Sequence, residues 1–141
     1  MMKKRYTLLL IIIVTGIISC SKNHEVTFSD SVLLTNDLVG KWQVTQFIDS
    51  GIDKTDDFSL VNIQLNSTGD LLLFYNDSTI SGTWMIVPDI GLDQVKFSLS
   101  TMRLPYSNLQ ASWYVFDKTP STLSLSNTSP SRSRLIQLQR I

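Results

Sequence analysis

From Leu38 to the C-terminus, apolar and polar residues alternate with a period of two, and this pattern limits the fold more than any other feature of the chain. Side chains of a β-strand point alternately to opposite faces, so the pattern predicts strands with one buried and one exposed face. Turn-forming clusters at 66–70 and 76–78 separate the strands, and a sustained helical spacing is absent. The expected strands are 41–49, 58–66, 70–76, 79–87, 93–100, 111–117, 122–127 and 134–140. We therefore expect an all-β fold, in which eight antiparallel strands joined by short loops close into an up-and-down barrel without unpaired edges.

Length and charge restrict the partners of this barrel. The chain has 141 residues, which is enough for one domain with an independent core. It carries 12 basic and 12 acidic residues, and three of the basic ones precede residue 6, so the chain without residues 1–19 has 12 − 3 = 9 basic and 12 acidic groups. A domain with a net charge of −3 argues against nucleic acid and against an anionic lipid surface as electrostatic partners.

The N-terminus has the features of a secretion signal. Basic residues at 3–5 precede an apolar run at 8–14, which is far shorter than the roughly 18 residues that cross a bilayer as a helix. The following segment, 17–20, reads Ile-Ile-Ser-Cys and resembles the lipoprotein box of bacteria, in which the cysteine is lipidated and becomes the mature N-terminus. The alternative is an ordinary leader that contains a stray cysteine.

This resemblance implies three segments: a lipoprotein signal peptide over 1–19, a lipidated Cys20 with a tether over 20–36, and the barrel domain over 37–141. Lipoproteins of this kind carry three acyl chains, such as palmitate, and stable anchoring needs at least two. We expect the protein in the cell envelope as an outer membrane lipoprotein, and the sequence leaves the periplasmic face and the cell surface as alternatives.

Residues that carry catalytic or metal chemistry are scarce. Cys20 is the only cysteine, so its lipidation would exclude disulfides, thiolate ligands and a cysteine nucleophile from the mature chain. The only histidine, His24, lies in the tether and can complete neither a zinc site nor a serine–histidine–acid group. Four aspartates lie in the segment 49–57, but it lacks the carboxylates at alternate positions and the terminal glutamate of a calcium-binding loop. A solvated loop is therefore favoured there. We expect no enzymatic activity, no metal and no cofactor.

Two predicted strands share a short repeated motif, which we call the echo. The segment 38–44 matches the segment 80–86, with Gly40 and Trp42 in the first copy and Gly82 and Trp84 in the second. Glycine in a strand allows a bend or a close approach of another backbone, and the tryptophan two residues later points to the same side. The second copy therefore predicts another large side chain at one end of the barrel, and Trp113 is a third inward candidate without the glycine.

The Gly40-Lys41-Trp42 opening of the first strand resembles the Gly-x-Trp motif of lipocalins. The whole of 37–141 resembles the lipocalin-like domain of small Bacteroidetes lipoproteins, in which an arginine at the end of the last strand packs over this tryptophan. Arg140 takes that place here. The chain departs from the lipocalin pattern because it has no Thr-Asp-Tyr element before the seventh strand, no disulfide pair and no C-terminal helix.

The same resemblance implies that the barrel binds a small hydrophobic or amphipathic molecule, with Trp84, Trp113 and Tyr106 as the tentative contacts. Eight strands also enclose a space that side chains can fill. The alternative is an envelope protein-interaction module, or an inhibitor of a periplasmic enzyme, that acts through the barrel rim and loops. The long segment 101–110 would then be a lid or partner contact, or a loop folded back over the barrel end.

Overall fold

The barrel closes because its first and last long strands pair with each other. The computed structural model describes Leu33 and residues 35–141. One short helix, α1 (Thr35–Leu38), and two 3₁₀ helices, η1 (Thr55–Phe58) and η2 (Tyr106–Leu109), accompany the strands. The strands are β1 (Gly40–Asp49), β2 (Ile52–Asp53), β3 (Val61–Leu65), β4 (Asp70–Tyr75), β5 (Ser78–Val87), β6 (Gln94–Leu99), β7 (Ala111–Lys118), β8 (Thr122–Ser129) and β9 (Arg132–Arg140).

All strand pairs are antiparallel, and the order β1-β3-β4-β5-β6-β7-β8-β9 returns to β1. The closing pair aligns Trp42 with Arg140 and Asp49 with Arg134, and a bulge at Thr45 interrupts its register. The two-residue strand β2 pairs with β1 only among the described strands. The prediction of an all-β, eight-stranded antiparallel barrel is therefore confirmed, with one short strand added.

The third strand begins later than expected. The alternation predicts a strand from residue 58, but β3 starts at Val61 because the preceding residues form η1. Asp53 explains this locally, since its Oδ1 accepts hydrogen bonds from the backbone N–H and the hydroxyl of Thr55 at 2.9 and 2.6 Å. Such a side-chain bond to the following backbone favours a turn over an extended strand.

Large apolar side chains occupy the barrel interior. Trp42, Phe47, Phe58 and Trp113 have no exposed surface, and Phe97 retains 2%. The ring of Phe47 lies 4.6 Å from that of Phe58 and 6.5 Å from that of Trp113, measured between centroids. Contacts at these distances indicate an interior that side chains fill.

The two ends of the barrel differ in what the chain places there. Strands alternate in direction, so the turns β3–β4, β5–β6 and β7–β8 lie at one end, together with α1 and the C-terminus. Leu33 is buried at this end, where its backbone N–H donates to Asp93 Oδ2 at 2.6 Å. We call it the tether end. The opposite end holds the long segments 50–60 and 100–110, and we call it the loop end.

Several sequence-based predictions lie outside the described residues. They are the signal peptide 1–19, the lipidated Cys20, and most of the tether 20–36 with its histidine, His24. Within the described part of the chain, no helix combines the length and the apolar character needed to cross a membrane.

Candidate functional site

Trp42 closes the tether end. Its indole N–H donates to the carbonyl of Leu38 at 2.8 Å, which satisfies the last residue of α1. The intervening Gly40 has φ +144°, a conformation that side chains disfavour. The short helix thus folds directly under the tryptophan, and Leu38 is fully buried beside it.

Arg140 covers the outer face of this tryptophan, as the lipocalin resemblance implies. Its guanidinium carbon lies 4.3 Å from the Trp42 ring centroid. The same group donates to the carbonyls of Asp37, Val39 and Pro120 at 2.6, 2.7 and 2.9 Å. A Cβ on Gly40 would lie 2.5 Å from Arg140 Nη1. Glycine at this position therefore makes room for the arginine, which links α1, the β7–β8 turn and the ring.

The loop end repeats this arrangement, and the alternation of apolar and polar residues does not predict the repeat. The Trp113 indole N–H donates to the carbonyl of Leu109, the last residue of η2, at 2.8 Å. Arg134 lies 5.3 Å from the Trp113 centroid and donates to the carbonyl of Asn108 at 2.6 Å and to Asn127 Oδ1 at 2.8 Å. A shared spacing could have revealed the repeat, because a leucine precedes each tryptophan by four residues.

An ion pair between the buried Asp49 and the partly exposed Arg132 lies at the same end of the barrel. Asp49 is 6% exposed and accepts hydrogen bonds from Nε and Nη2 of Arg132, the former at 2.8 Å. The Arg132 hydrogen bond holds the pKa of Asp49 below its ordinary value, although burial acts in the opposite direction. Burial, followed by repulsion from Arg132, lowers the pKa of Arg134, and Asp49 partly offsets this. The two residues of this ion pair are 83 positions apart, so the pair connects the β8–β9 hairpin to the end of β1.

The aspartates of the segment 49–57 do not converge on one point. Asp49 faces Arg132, whereas Asp53 accepts hydrogen bonds from Thr55, which lower the pKa of this carboxyl. Among the described residues, no group of three or more histidines, cysteines, aspartates and glutamates is placed to hold a metal ion.

The three tentative ligand contacts are not brought together. Trp84 lies by the β3–β4 turn at the tether end, where its indole N–H donates to the carbonyl of Asn66 at 2.9 Å. Trp113 and Tyr106 lie at the loop end, and the Tyr106 ring packs 5.8 Å from that of Tyr75. All three tentative contacts are buried among apolar neighbours.

Gly82, in the second copy of the echo, allows a close approach of two backbones. A Cβ at this position would lie 2.2 Å from the carbonyl oxygen of Ser98 and 3.0 Å from Leu99 Cα. The echo therefore shares a glycine and a buried tryptophan, but the reasons for the glycine differ. Gly40 admits a side chain, and Gly82 admits the neighbouring strand β6.

The segment 101–110 folds back over the loop end and is anchored from below. Tyr106, Asn108 and Leu109 are buried, whereas Met102 and Leu104 are 84% and 69% exposed. The side chain of Gln110 donates to the carbonyl of Thr101 at 2.6 Å, which holds the two ends of the segment together. The fixed segment thus presents two apolar side chains outward.

A shallow groove of about 340 Å³ lies along the outer wall, where the side chains of β9 that point away from the core meet those of its neighbours. Its lining is mostly polar: Thr45, Asp117, Thr122, Ser124, Gln137, Leu138 and Gln139. This lining does not suit the small apolar molecule that the sequence predicts.

Solved structures with a similar fold come from Bacteroides. A DUF4847 family protein from Bacteroides vulgatus ATCC 8482 aligns with a TM-score of 0.52 and 18% identity over 72% of this chain and 92% of its own. A lipocalin-like protein from Bacteroides uniformis ATCC 8492 aligns with a TM-score of 0.51 and 17% identity over 74% of this chain and 99% of its own. No protein-family model and no curated protein matches the sequence. Together with the closed barrel and its Gly-x-Trp opening, these similarities show that the chain has a lipocalin-like fold.

Proposed function

We propose that this protein is a lipid-anchored lipoprotein of the cell envelope whose barrel is a rigid scaffold that presents its loop end to a protein partner. The anchor is Cys20, on the strength of the basic, apolar and small segments before it. The outward display of Met102 and Leu104 on an anchored loop is the observation that carries the partner role.

Exposed apolar side chains that occur together usually mark a contact surface. Leu60 belongs to the same end and is 60% exposed. Together with Met102 and Leu104, it gives the loop end three large exposed apolar side chains. The supporting loop is held by the Trp113 and Arg134 hydrogen bonds described above. A partner would therefore bind a preorganised surface and would lose little entropy in ordering it.

The position of the anchor supports the same role. The described chain starts at the tether end, so the loop end lies at the other end of the barrel from the residue at which the tether joins it. Twelve residues, 21–32, separate Cys20 from Leu33 and span at most about 40 Å when extended. The loop end would thus face the compartment in which a soluble or membrane-bound protein partner is found.

Photo-crosslinking tests the partner role. A photoreactive amino acid at position 102 is expected to give a discrete crosslinked band in intact cells, and the same amino acid at position 85 serves as the control. Met85 is 56% exposed on the wall strand β5, away from the loops. Met102→Glu combined with Leu104→Glu is expected to abolish capture of the partner by the purified lipidated protein, whereas Met85→Glu leaves it unchanged. Equal crosslinking at the two positions would refute the proposal.

The anchor has its own test. Mass spectrometry of the mature N-terminal peptide is expected to find acyl chains on Cys20, and Cys20→Ser is expected to move the protein from the detergent phase to the aqueous phase. An unmodified, uncleaved N-terminus would contradict the anchor without bearing on the partner.

Binding of a small apolar molecule inside the barrel is the competing candidate, and the apolar interior favours it. The packing of Phe47, Phe58 and Trp113 requires that η1 or η2 move before such a molecule enters. Native mass spectrometry distinguishes the candidates, because an adduct of constant mass that persists in Met102→Glu would favour the ligand. The scaffold role predicts the bare polypeptide mass together with its lipid.

A further inference from the structure

We propose that the β5–β6 loop, residues 88–93, rests on the lipid surface to which the protein is anchored, with Ile90 and Leu92 in contact with lipid. The inference rests on the proposed lipid anchor and adds a second, direct membrane contact. It also assigns an orientation, with the tether end down and the loop end away from the bilayer.

The loop displays apolar groups at its tip. Ile90 is fully exposed and Leu92 is 50% exposed. Gly91 lies between them at φ +99°, and a Cβ at this position would meet no atom within 4 Å beyond its chain neighbours. Ile141, at the same end, is 61% exposed. Burial of a fully exposed isoleucine side chain against an apolar surface is favourable, because it removes apolar area from water.

Internal hydrogen bonds keep these side chains pointing outward. Asp89 Oδ1 accepts from the backbone N–H of Ile90 at 2.8 Å, and Asp89 Oδ2 accepts from Gln94 Nε2 at 2.7 Å. The loop is therefore an ordered turn, so insertion of its tip requires no rearrangement of its backbone.

The tether leaves the barrel beside this loop. Asp93, the last residue of the loop, accepts a hydrogen bond from the backbone N–H of Leu33 at 2.6 Å. The described chain therefore begins at a residue that is bonded to the sequence neighbour of Leu92. A short tether keeps the loop at a high effective concentration near the bilayer, so two apolar side chains suffice for contact that would be negligible in a free protein.

The charges at this end select the kind of lipid. Asp89 and Asp93 lie in the loop, which contains no basic residue. Lys41 and Lys96 are exposed on the strands at this end, whereas the other two cations there are engaged. Lys118 pairs with Asp37 at 2.6 Å, and Arg140 donates to three carbonyls. The loop therefore offers apolar contact with two carboxylates and no cation of its own, so it fits an uncharged or zwitterionic lipid surface better than an anionic one.

Fluorescence from a single label tests the contact. Cys20 is the only cysteine, so a thiol introduced as Ile90→Cys is unique once Cys20 is acylated. Leu104→Cys at the loop end is the matched control, since Leu104 is also largely exposed. Each full-length lipidated variant is labelled with an environment-sensitive dye and reconstituted into phosphatidylcholine vesicles, and into vesicles with added phosphatidylglycerol.

At position 90 we expect a blue-shifted emission, at least a threefold lower quenching constant with aqueous iodide than at position 104, and quenching by lipids brominated on their acyl chains. Phosphatidylglycerol at low salt is expected to weaken these differences. Equal emission and equal iodide quenching at the two positions would overturn the proposal, and so would stronger lipid contact at position 104.

Two further measurements separate the possible failures. Partition of the unlabelled protein into the detergent phase reports the anchor alone. A protein that partitions into detergent but whose label at position 90 remains exposed to water would contradict only the loop contact. Because labelling replaces Ile90 itself, amide hydrogen exchange of the unaltered protein is also compared before and after reconstitution. Slower exchange confined to 88–93 is expected, and unchanged exchange there would overturn the proposal.

Discussion

Replacement of Arg140 by methionine removes the group that holds the tether end together, and its cost can be derived from the contacts. The guanidinium makes three hydrogen bonds to carbonyls and lies 4.3 Å from the Trp42 centroid. A hydrogen bond from a charged group contributes about 1.5–3 kcal/mol, and a cation–π contact about 0.5–2 kcal/mol. After the substitution, water can donate hydrogen bonds to the partly exposed carbonyls in place of the arginine. The net loss is therefore roughly one hydrogen bond together with the ring contact. We expect a destabilisation of about 2–5 kcal/mol.

Thermal and urea unfolding, monitored by circular dichroism, measure this change. A loss of that size lowers the Tm of a domain of this length by about 10–20 °C. Arg103→Met is the control, because Arg103 is exposed and its side chain has no hydrogen bond among those of the described residues. Arg140→Lys is expected to recover less than half of the loss, since one ammonium cannot reach three carbonyls and stack on the ring. A Tm of Arg140→Met within 3 °C of that of Arg103→Met would refute this reasoning.

Three other substitutions follow from the same contacts. Gly82→Ala places a Cβ against the Ser98 carbonyl, so β5 and β6 must separate, and urea unfolding is expected to show a loss of about 1–3 kcal/mol. Asp49→Asn removes the carboxylate that Arg132 holds at a lowered pKa, a stabilisation that is complete above the ordinary value of 3.8 and is lost as the pH falls through the lower folded pKa. The stability difference between wild type and Asp49→Asn is therefore expected to be constant from pH 7 to 5 and to shrink below pH 4, and a constant difference down to pH 2 would contradict the assignment. Trp113→Phe loses an indole hydrogen bond and weakens the stacking of the guanidinium above it, and calorimetry is expected to show a loss of about 1–2 kcal/mol.

Alternation was sufficient to predict the strands, because side-chain direction in a strand depends only on position along the chain. The segment 61–65 shows this, with Val61, Ile63 and Leu65 buried and the residues between them partly exposed. The Asp53–Thr55 turn overrode the pattern just before this strand, since a local hydrogen bond competes with the sheet. The contact of Arg140 with Trp42 was predictable only through the resemblance to lipocalins.

Contacts between distant residues could not be derived from the sequence. Asp49 and Arg132 are 83 positions apart, and no sequence pattern next to either residue predicts that they pair. The bulges at Thr45 and Phe116 shift the register of two strand pairs without a glycine or proline to mark them. The sequence does not determine the position of the segment 101–110 for the same reason, because its burial depends on Trp113 and Arg134 from other strands.

Closure of β1 on β9 joins residues 42 and 140, which lie at opposite ends of the folded segment. Such a contact can form only after β9 has been made, so closure of the cylinder joins residues far apart in sequence, a feature of slowly folding proteins. A truncation that removes β9 would leave β1 and β8 as two bare edges, each open to pairing with another copy. Loss of the last ten residues should therefore cause aggregation rather than a slightly weaker protein.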